Sequence, residues 1–469
     1  MKVSTINIKN VRSARLRTDA SYHLSEGQIV QKDIVSSPYP LMQIKDVSND
    51  IFIGNRAKRI YVSSIEHGIP FLSSSDILKG DLEHVKLASK KYTPEIDRML
   101  LQKGWTLISR SGTIGNCAFA NAKHAQKLAS EDVIRLVPNN ILRGGLVYAY
   151  LASKYGHSLL TQGTFGAVIQ HIEPDFVGSL PIPHFPETFQ EEVDDLMQEA
   201  SRLREEATDE LNEAEKILKE AAKLRDLTPE DYDYYGLNNS GRKVSCFIRK
   251  RKDIDTTTIN AFNHSERIRN TKASITCPTV PLKEVLLGGD TFSTGSFPRI
   301  EVKEGCGIML INQKDIFDTI VKGKYISKRN VKTNNLVEYG EVLIAGVGTL
   351  GENETFCRAI YANEDLVGQL VSGEFIRMKT NGKVPSGYLY AWLASDYGFR
   401  LLRNLQAGTK LCRPIPRLVL EIPVPIVEKE TMEEIGKMVK NAYTKRYQAN
   451  CNERKAIFLV EQEIESWNK

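Results

Sequence analysis

The chain has 469 residues, 41% of them hydrophobic, which is enough for about three units of ordinary domain size. No stretch approaches the roughly 18 apolar residues of a membrane helix, Met1 to Asn10 has no apolar core of the signal-peptide kind, and the seven cysteines sit at no metal-ligand or redox spacing. The pattern implies free thiols in a reducing cytoplasm. The formal net charge is +5, but residues 190–235 alone carry −10 and leave +15 on the rest, the balance a polyanion binder needs.

In chain order, the elements occur twice. Asp19-Ala20-Ser21-Tyr22-His23 returns loosely as Asn260-Ala261-Phe262-Asn263-His264, Lys45-Asp46-Val47 as Lys283-Glu284-Val285, and Asp76-Ile77 as Asp315-Ile316. The strand and turn from Gly104 to Gly115 match those from Gly340 to Gly351. Ala149-Tyr150-Leu151-Ala152-Ser153-Lys154-Tyr155-Gly156 becomes Ala391-Trp392-Leu393-Ala394-Ser395-Asp396-Tyr397-Gly398, an offset of 242 residues. That offset holds without a gap to Leu180-Pro181-Ile182-Pro183 and Ile422-Pro423-Val424-Pro425. A repeat this long is a domain rather than a solenoid unit. Each copy reads as a mixed α/β domain followed by a long helix.

Val193, Leu196, Ala200, Leu203, Ala207, Leu211, Ala214, Leu218 and Ala221 step by three and four, an a/d seam of about four heptads. Alanine at alternate seam positions lets a second helix approach closely. Thr228-Pro229 stops this helix, expected over Gln190–Leu227, and Gly236-Leu237-Asn238-Asn239-Ser240-Gly241 reads as a loop. After the second copy, Ile435, Met438, Ala442, Ala449, Ala456, Val460, Glu463 and Trp467 give a similar seam broken by Arg446 and Glu453. Neither stripe suits water, so each helix is expected to pack on the other.

Motifs for chemistry are sparse. Gly346-Val347-Gly348-Thr349-Leu350-Gly351 fits the dinucleotide pattern, but its first glycine is Arg110 in the other copy and no helix start follows. A glycine-rich turn between strands accounts for it better. Ser37-Pro38-Tyr39-Pro40 is faintly similar to the loop of DNA amino-methyltransferases, but lacks the second proline and an accompanying adenosylmethionine loop. The histidines form no His-x-x-x-His pair, and no nuclease-like set of acids is present. The chain therefore reads as a binder with no catalytic, metal or cofactor site.

The segments suited to DNA are basic and interleaved with glycine, polar or aromatic residues. In the first copy they supply Arg56, Lys58, Arg59, Lys90, Lys91 (beside Tyr92), Arg110, Gln162 and Thr164 (beside Phe165). In the second they supply Lys322, Lys324, Lys328, Arg329, Arg403 (beside Asn404), Gln406 and Lys410. Arginine reads guanine and Asn or Gln reads adenine through paired hydrogen bonds, whereas lysine mostly positions phosphates.

The doubled Leu-Ala-Ser-x-Tyr-Gly helix, the Pro-x-Pro tail and the doubled Gly-Thr-x-Gly turn, each upstream of a seam helix, resemble the specificity subunit of type I restriction-modification systems. The resemblance covers almost the whole chain. It implies an α+β fold of two repeated mixed α/β target-recognition domains joined by two long antiparallel coiled-coil helices in a pseudo-twofold arrangement. The domains would be 1–189 and 236–428, and the helical regions 190–235 and 429–469. It also implies recognition of a bipartite target in double-stranded DNA and docking of two methyltransferase subunits and of restriction-translocase subunits. S-adenosylmethionine and ATP would sit on those partners. Gly166-Ala167-Val168-Ile169-Gln170-His171-Ile172 against Gly408-Thr409-Lys410-Leu411-Cys412-Arg413-Pro414 is where the copies diverge, as fits two different half-sites. Two alternatives remain: a specificity subunit of a type IIB-like or other phage-defence methylation system, and a coiled-coil scaffold without base readout.

Overall fold

The structure, a computed structural model, describes residues 5–13, 18, 20–23, 25–56, 58–164, 170–228, 231, 247–254 and 257–467. The expected loop 236–241, the helix stop at Pro229, Asp19, Phe165, residues 166–169 of the divergent segment and Cys246 lie outside them. The fold is α+β. It divides into one unit of residues 1–205 with 448–469, and another of residues 206–447. Among the described residues no helix is long and apolar enough to cross a membrane.

In the first unit, β1 (Leu41–Gln43) pairs antiparallel with β10 (Pro181–Pro183). A four-stranded sheet runs in the order β2 (Ser48–Ile53), β9 (Val133–Pro138), β6 (Thr106–Ser109), β7 (Cys117–Phe119). A second runs β3 (Tyr61–Val62), β5 (Lys86–Ser89), β4 (Gly68–Leu72), β8 (Leu128–Ala129), with β4 and β8 parallel. The other unit repeats this plan. There β11 (Thr279–Pro281) pairs with β20 (Pro423–Pro425), β14 (Val342–Ala345) lies between β15 (Ala359–Tyr361) and β17 (Phe375–Met378), and β12 (Ile308–Ile311) lies between β13 (Lys324–Ile326) and a parallel β16 (Leu370–Val371).

The smaller cores are duplicated position by position. Leu72, Ile77, Leu101, Leu107, Ala129 and Val133 form one. Ile311, Ile316, Val337, Leu343, Val371 and Phe375 form the other. The offset drifts between 236 and 242, so residues are gained and lost in turns while the apolar face of each strand is kept.

The repeated Ser-x-x-Gly is a helix junction. Ser153 ends helix Gly144–Ala152 and caps helix Lys154–Gln162. Its Oγ donates to the Tyr150 carbonyl at 2.6 Å and accepts from the Gly156 amide at 3.2 Å. One hydroxyl thus serves an orphan carbonyl and an orphan amide of two consecutive helices. Ser395 does the same with Trp392 (2.6 Å) and Gly398 (3.3 Å), between helices Ser386–Ala394 and Asp396–Asn404. A Cβ on Gly156 would fall on the Tyr150 carbonyl oxygen and 2.5 Å from Leu151 Cα; one on Gly398 would fall on the Trp392 carbonyl oxygen and 2.6 Å from Leu393 Cα.

Two long helices complete the units. The first runs Glu187–Ala221, about 52 Å at 1.5 Å per residue, and the second Lys429–Ser466. The first ends six residues before the expected Leu227, because Lys223 adopts φ 51°. The Leu224 amide donates to the Lys219 carbonyl (2.8 Å) and the Lys223 amide to that of Glu220 (3.1 Å), a Schellman stop with lysine where glycine is usual.

Within the first unit, Arg204 meets Asn450 at 2.8 Å and Glu453 at 2.5 Å, while Val193 and Met197 share a core with Ala456, Val460 and Ile464. The two segments therefore run antiparallel. In the other unit Lys445 meets Glu206 (2.9 Å) and Glu210 (2.8 Å), while Ala214 and Leu218 share a core with Met432, Ile435 and Val439. The seam break at Glu453 is filled: the carboxylate is 4% exposed and also accepts from Tyr148 Oη at 2.5 Å. Burial, then Glu453, holds the Tyr148 phenol well above its ordinary pKa. Ser37-Pro38-Tyr39-Pro40 is likewise structural, with Tyr39 Oη donating to Glu463 at 2.8 Å.

His124 is 6% exposed, its Nδ1 2.9 Å from Asn121 Oδ1 and its Nε2 3.3 Å from the Ile77 carbonyl. Burial, against the Ile77 hydrogen bond and with Lys127 and Arg204 nearby, draws its pKa down to about 4. The unfolded chain takes up a proton near pH 6.5, which the folded chain refuses until about pH 4. Stability of the first unit is therefore expected to fall by up to about 3 kcal/mol between those values as pH decreases. In urea melts His124→Gln should flatten that dependence; an unchanged slope would rule His124 out as its source.

Candidate nucleic-acid interface

The ends of β2, β6 and β9 in the first unit enclose an open cavity of about 470 Å³ lined by Phe52, Arg56, Arg98, Arg110 and Glu131 among others. Its arginines come from separate segments: Arg56 from the loop after β2, Arg98 from the short helix Ile96–Met99, Arg110 from just past β6. Glu131 comes from the turn before β9. Beneath them lies Arg135 of β9, fully buried. A Cβ on Gly54 would come 3.3 Å from its Nη2, so the close approach of loop and guanidinium is helped by glycine.

Arg135 Nη1 donates to the Ser130 (3.0 Å) and Val133 (2.8 Å) carbonyls, and Nη2 to that of Ala129. Burial, offset in part by Glu131, draws its pKa down to about 10, so it is still a cation at neutral pH. Its counterpart Arg377 is also fully buried, but has a carboxylate: Nε and Nη2 donate to Glu341 at 2.8 and 2.9 Å. Both lie against a phenylalanine, Phe52 at 5.9 Å and Phe292 at 4.7 Å. Sequence reading missed this pair. The available signal was an arginine recurring at the 242-residue offset inside two apolar strands, Val133-Ile134-Arg135-Leu136 and Phe375-Ile376-Arg377-Met378.

The candidate readers fall into three groups. Arg56, Arg59 and Arg110 are brought together around Glu131, Asp132 and Glu173, with exposed Lys58 alongside. A second group is exposed and lies elsewhere. Lys90 donates to the Ile65 and Glu66 carbonyls (3.2 and 2.9 Å), and Lys91 stands 5.4 Å from the Tyr92 ring. In the other unit Lys322 precedes β13, Lys324 pairs with Glu301 at 2.6 Å, and Lys328 and Arg329 follow on a 3-10 turn. Lys410 sits at the exposed tip between β18 (Gln406–Ala407) and β19 (Arg413–Pro414).

The third group is turned inward. Gln162 (6% exposed) packs at Gly27, and Thr164 is half-buried just beyond it. Arg403 (2%) donates from Nη1 to the Gly351 carbonyl at 3.2 Å and from Nη2 to that of Leu350. Gln406 (3%) is buried, and its main-chain carbonyl accepts from Asn263 Nδ2 at 2.9 Å. Of these, Gln162, Arg403 and Gln406 are buried, so in this structure they are less open to solvent than the other candidates. Arg403 also explains the Gly346–Gly351 run: it ties down the turn that leads from β14 to antiparallel β15.

Reading by segments also passed over Arg98, Glu131 and the run Arg249-Lys250-Arg251-Lys252, in which Lys250, Arg251 and Lys252 are exposed. Among the described residues no group of His, Cys, Asp or Glu could hold a metal ion, and six cysteines are free.

No family model matches the sequence, and no curated protein matches it. Among solved structures, the chain is similar to a type I restriction-modification S subunit from M. genitalium, at 13% identity and TM-score 0.34 over 92% of this chain and 96% of that one. It is also similar to an HsdS subunit from Thermoanaerobacter tengcongensis, at 11% identity and TM-score 0.27 over 92% and 96%. A chain from a structure of type I R-M complex assembly and conformational transition gives 14% identity and TM-score 0.27 over 91% and 98%. Values this low leave the function to be argued from the residues themselves.

Proposed function

We propose that this chain is the non-catalytic specificity subunit of a type I restriction-modification complex, working in the cytoplasm. Each unit would read one half of a bipartite site in double-stranded DNA. The paired long helices would dock two methyltransferase subunits, with restriction-translocase subunits joining them. Adenosylmethionine and ATP would be held by those partners. The observation that carries this reading is the contrast between core and rim. The smaller cores correspond position by position, whereas the charges at the cavity mouth do not: Arg110, Glu131 and Glu173 correspond to Gly346, Gly373 and Ile415. One scaffold with two different charged rims suits two different half-sites.

Footprinting of the chain with its methyltransferase subunits should protect one split sequence with two dissimilar halves. Protection of a single contiguous sequence would count against two working domains. Binding that weakens with salt but shows no sequence preference would favour the scaffold reading instead.

A further inference from the structure

We propose that Arg56 reads a guanine in the first half-site, and that Glu131 is the residue that positions it; this rests on the proposed binding of duplex DNA.

Three arginines line the cavity, Arg56, Arg98 and Arg110, and Arg59 joins them at Glu131; Arg110 and Arg59 are held most closely by the protein. Arg110 Nε donates to the Ile172 carbonyl at 3.1 Å and Nη2 to Glu173. Arg98, its side chain 58% exposed, lies over the Phe52 ring at 5.8 Å and 3.9 Å from Glu95. Arg59 pairs with Glu131 at 2.6 Å and covers the Phe71 ring at 5.2 Å. Arg56 differs: its side chain is 91% exposed, and its nearest approach to the cluster is Nε, 3.9 Å from Glu131 Oε1. Glu131 is 14% exposed and anchored by Arg59, so it is a fixed brace. A guanidinium steered through Nε keeps its two terminal nitrogens as a fork, which matches the O6 and N7 acceptors of guanine in the major groove.

Charge decides between base and phosphate. Arg59 pairs with Glu131 and lies 3.9 Å from Asp132, and Arg56 approaches Glu131, so these four charges cancel although Lys58, Arg98 and Arg110 stand nearby. A phosphate brought there would meet two carboxylates, whereas the guanine edge is a neutral pair of acceptors. At the positions of Glu131 and Asp132 the second copy has Gly373 and Glu374, so its half-site is read by other means.

The test uses the full chain with its methyltransferase subunits, and the wild-type target with each base pair changed in turn. Arg56→Ala should weaken binding about tenfold to a hundredfold and make all four bases equivalent at one G·C position, leaving the other half-site untouched. Arg56→Lys should not restore the discrimination, because an ammonium lacks the fork. Glu131→Gln should relax the same position less. Equal weakening on every sequence, rescued by lysine and with a shallower salt dependence, would identify a phosphate contact and overturn the proposal. So would relaxation at an A·T pair, or no change. If the wild type itself shows no sequence preference, the proposed function fails and this inference with it; loss of one position from a preference otherwise intact supports both.

Discussion

Replacing Glu341 with alanine is expected to destabilise the second unit by about 3–5 kcal/mol, the cost of leaving a buried charge without its partner. Arg377 would keep the Asn335 and Leu336 carbonyls, each at 2.7 Å, but would lose both carboxylate bonds in a site where neither residue is more than 1% exposed. Glu341→Gln keeps the shape and one acceptor, so a smaller loss of about 1–3 kcal/mol is expected. Removing both charges, as Glu341→Leu with Arg377→Met, should recover most of the stability. The first unit supplies an internal control, since Arg135 is held there by carbonyls with, among the described residues, no carboxylate bonded to it. Urea denaturation of the three variants measures this. A loss below about 1 kcal/mol in Glu341→Ala would show that the carbonyls suffice in the second unit too.

Gly398→Ala is expected to cost about 3 kcal/mol, and Gly156→Ala about as much, because the added methyl meets backbone rather than a side chain that could turn away. The first turn of one helix rests on the last turn of the previous one, and the Ser395 or Ser153 hydroxyl holds both ends in place. Gly112 makes the contrast: it has φ 75° and nothing within 4 Å of a built Cβ, so alanine there should cost only the left-handed strain, about 1 kcal/mol. Amide exchange should report lost protection in the first unit for Gly156→Ala and in the second for Gly398→Ala. Similar costs at Gly112 and Gly398 would contradict the close-approach explanation.

How far the sequence was legible follows from what leaves a pattern. The duplicated Ser-x-x-Gly and Pro-x-Pro segments were visible because backbone contacts tolerate little substitution. The helix seams were visible as periodicity. The stop at Ala221 was not, because a lysine in the left-handed region leaves no glycine to mark it. The inward turn of Arg403, Gln406 and Gln162 was hidden for a related reason: Arg403 is held by backbone carbonyls and Gln162 packs at Gly27, contacts distant in sequence that local composition does not reveal. Arg135 and Arg377 were overlooked because a charge in an apolar strand looks like surface until its cross-strand phenylalanine is placed. The same blindness missed Glu131, an acid set among the arginines of the rim.

The proposed function has two copies of one scaffold read two different sequences. Sequencing the methylated bases of cells with and without this chain tests it most directly. The expected result is one motif that depends on the chain, made of two dissimilar halves separated by a fixed run of unspecified bases, with a guanine in one half that Arg56→Ala no longer requires. A contiguous motif, two identical halves, or a methylome that does not change when the chain is removed would contradict it.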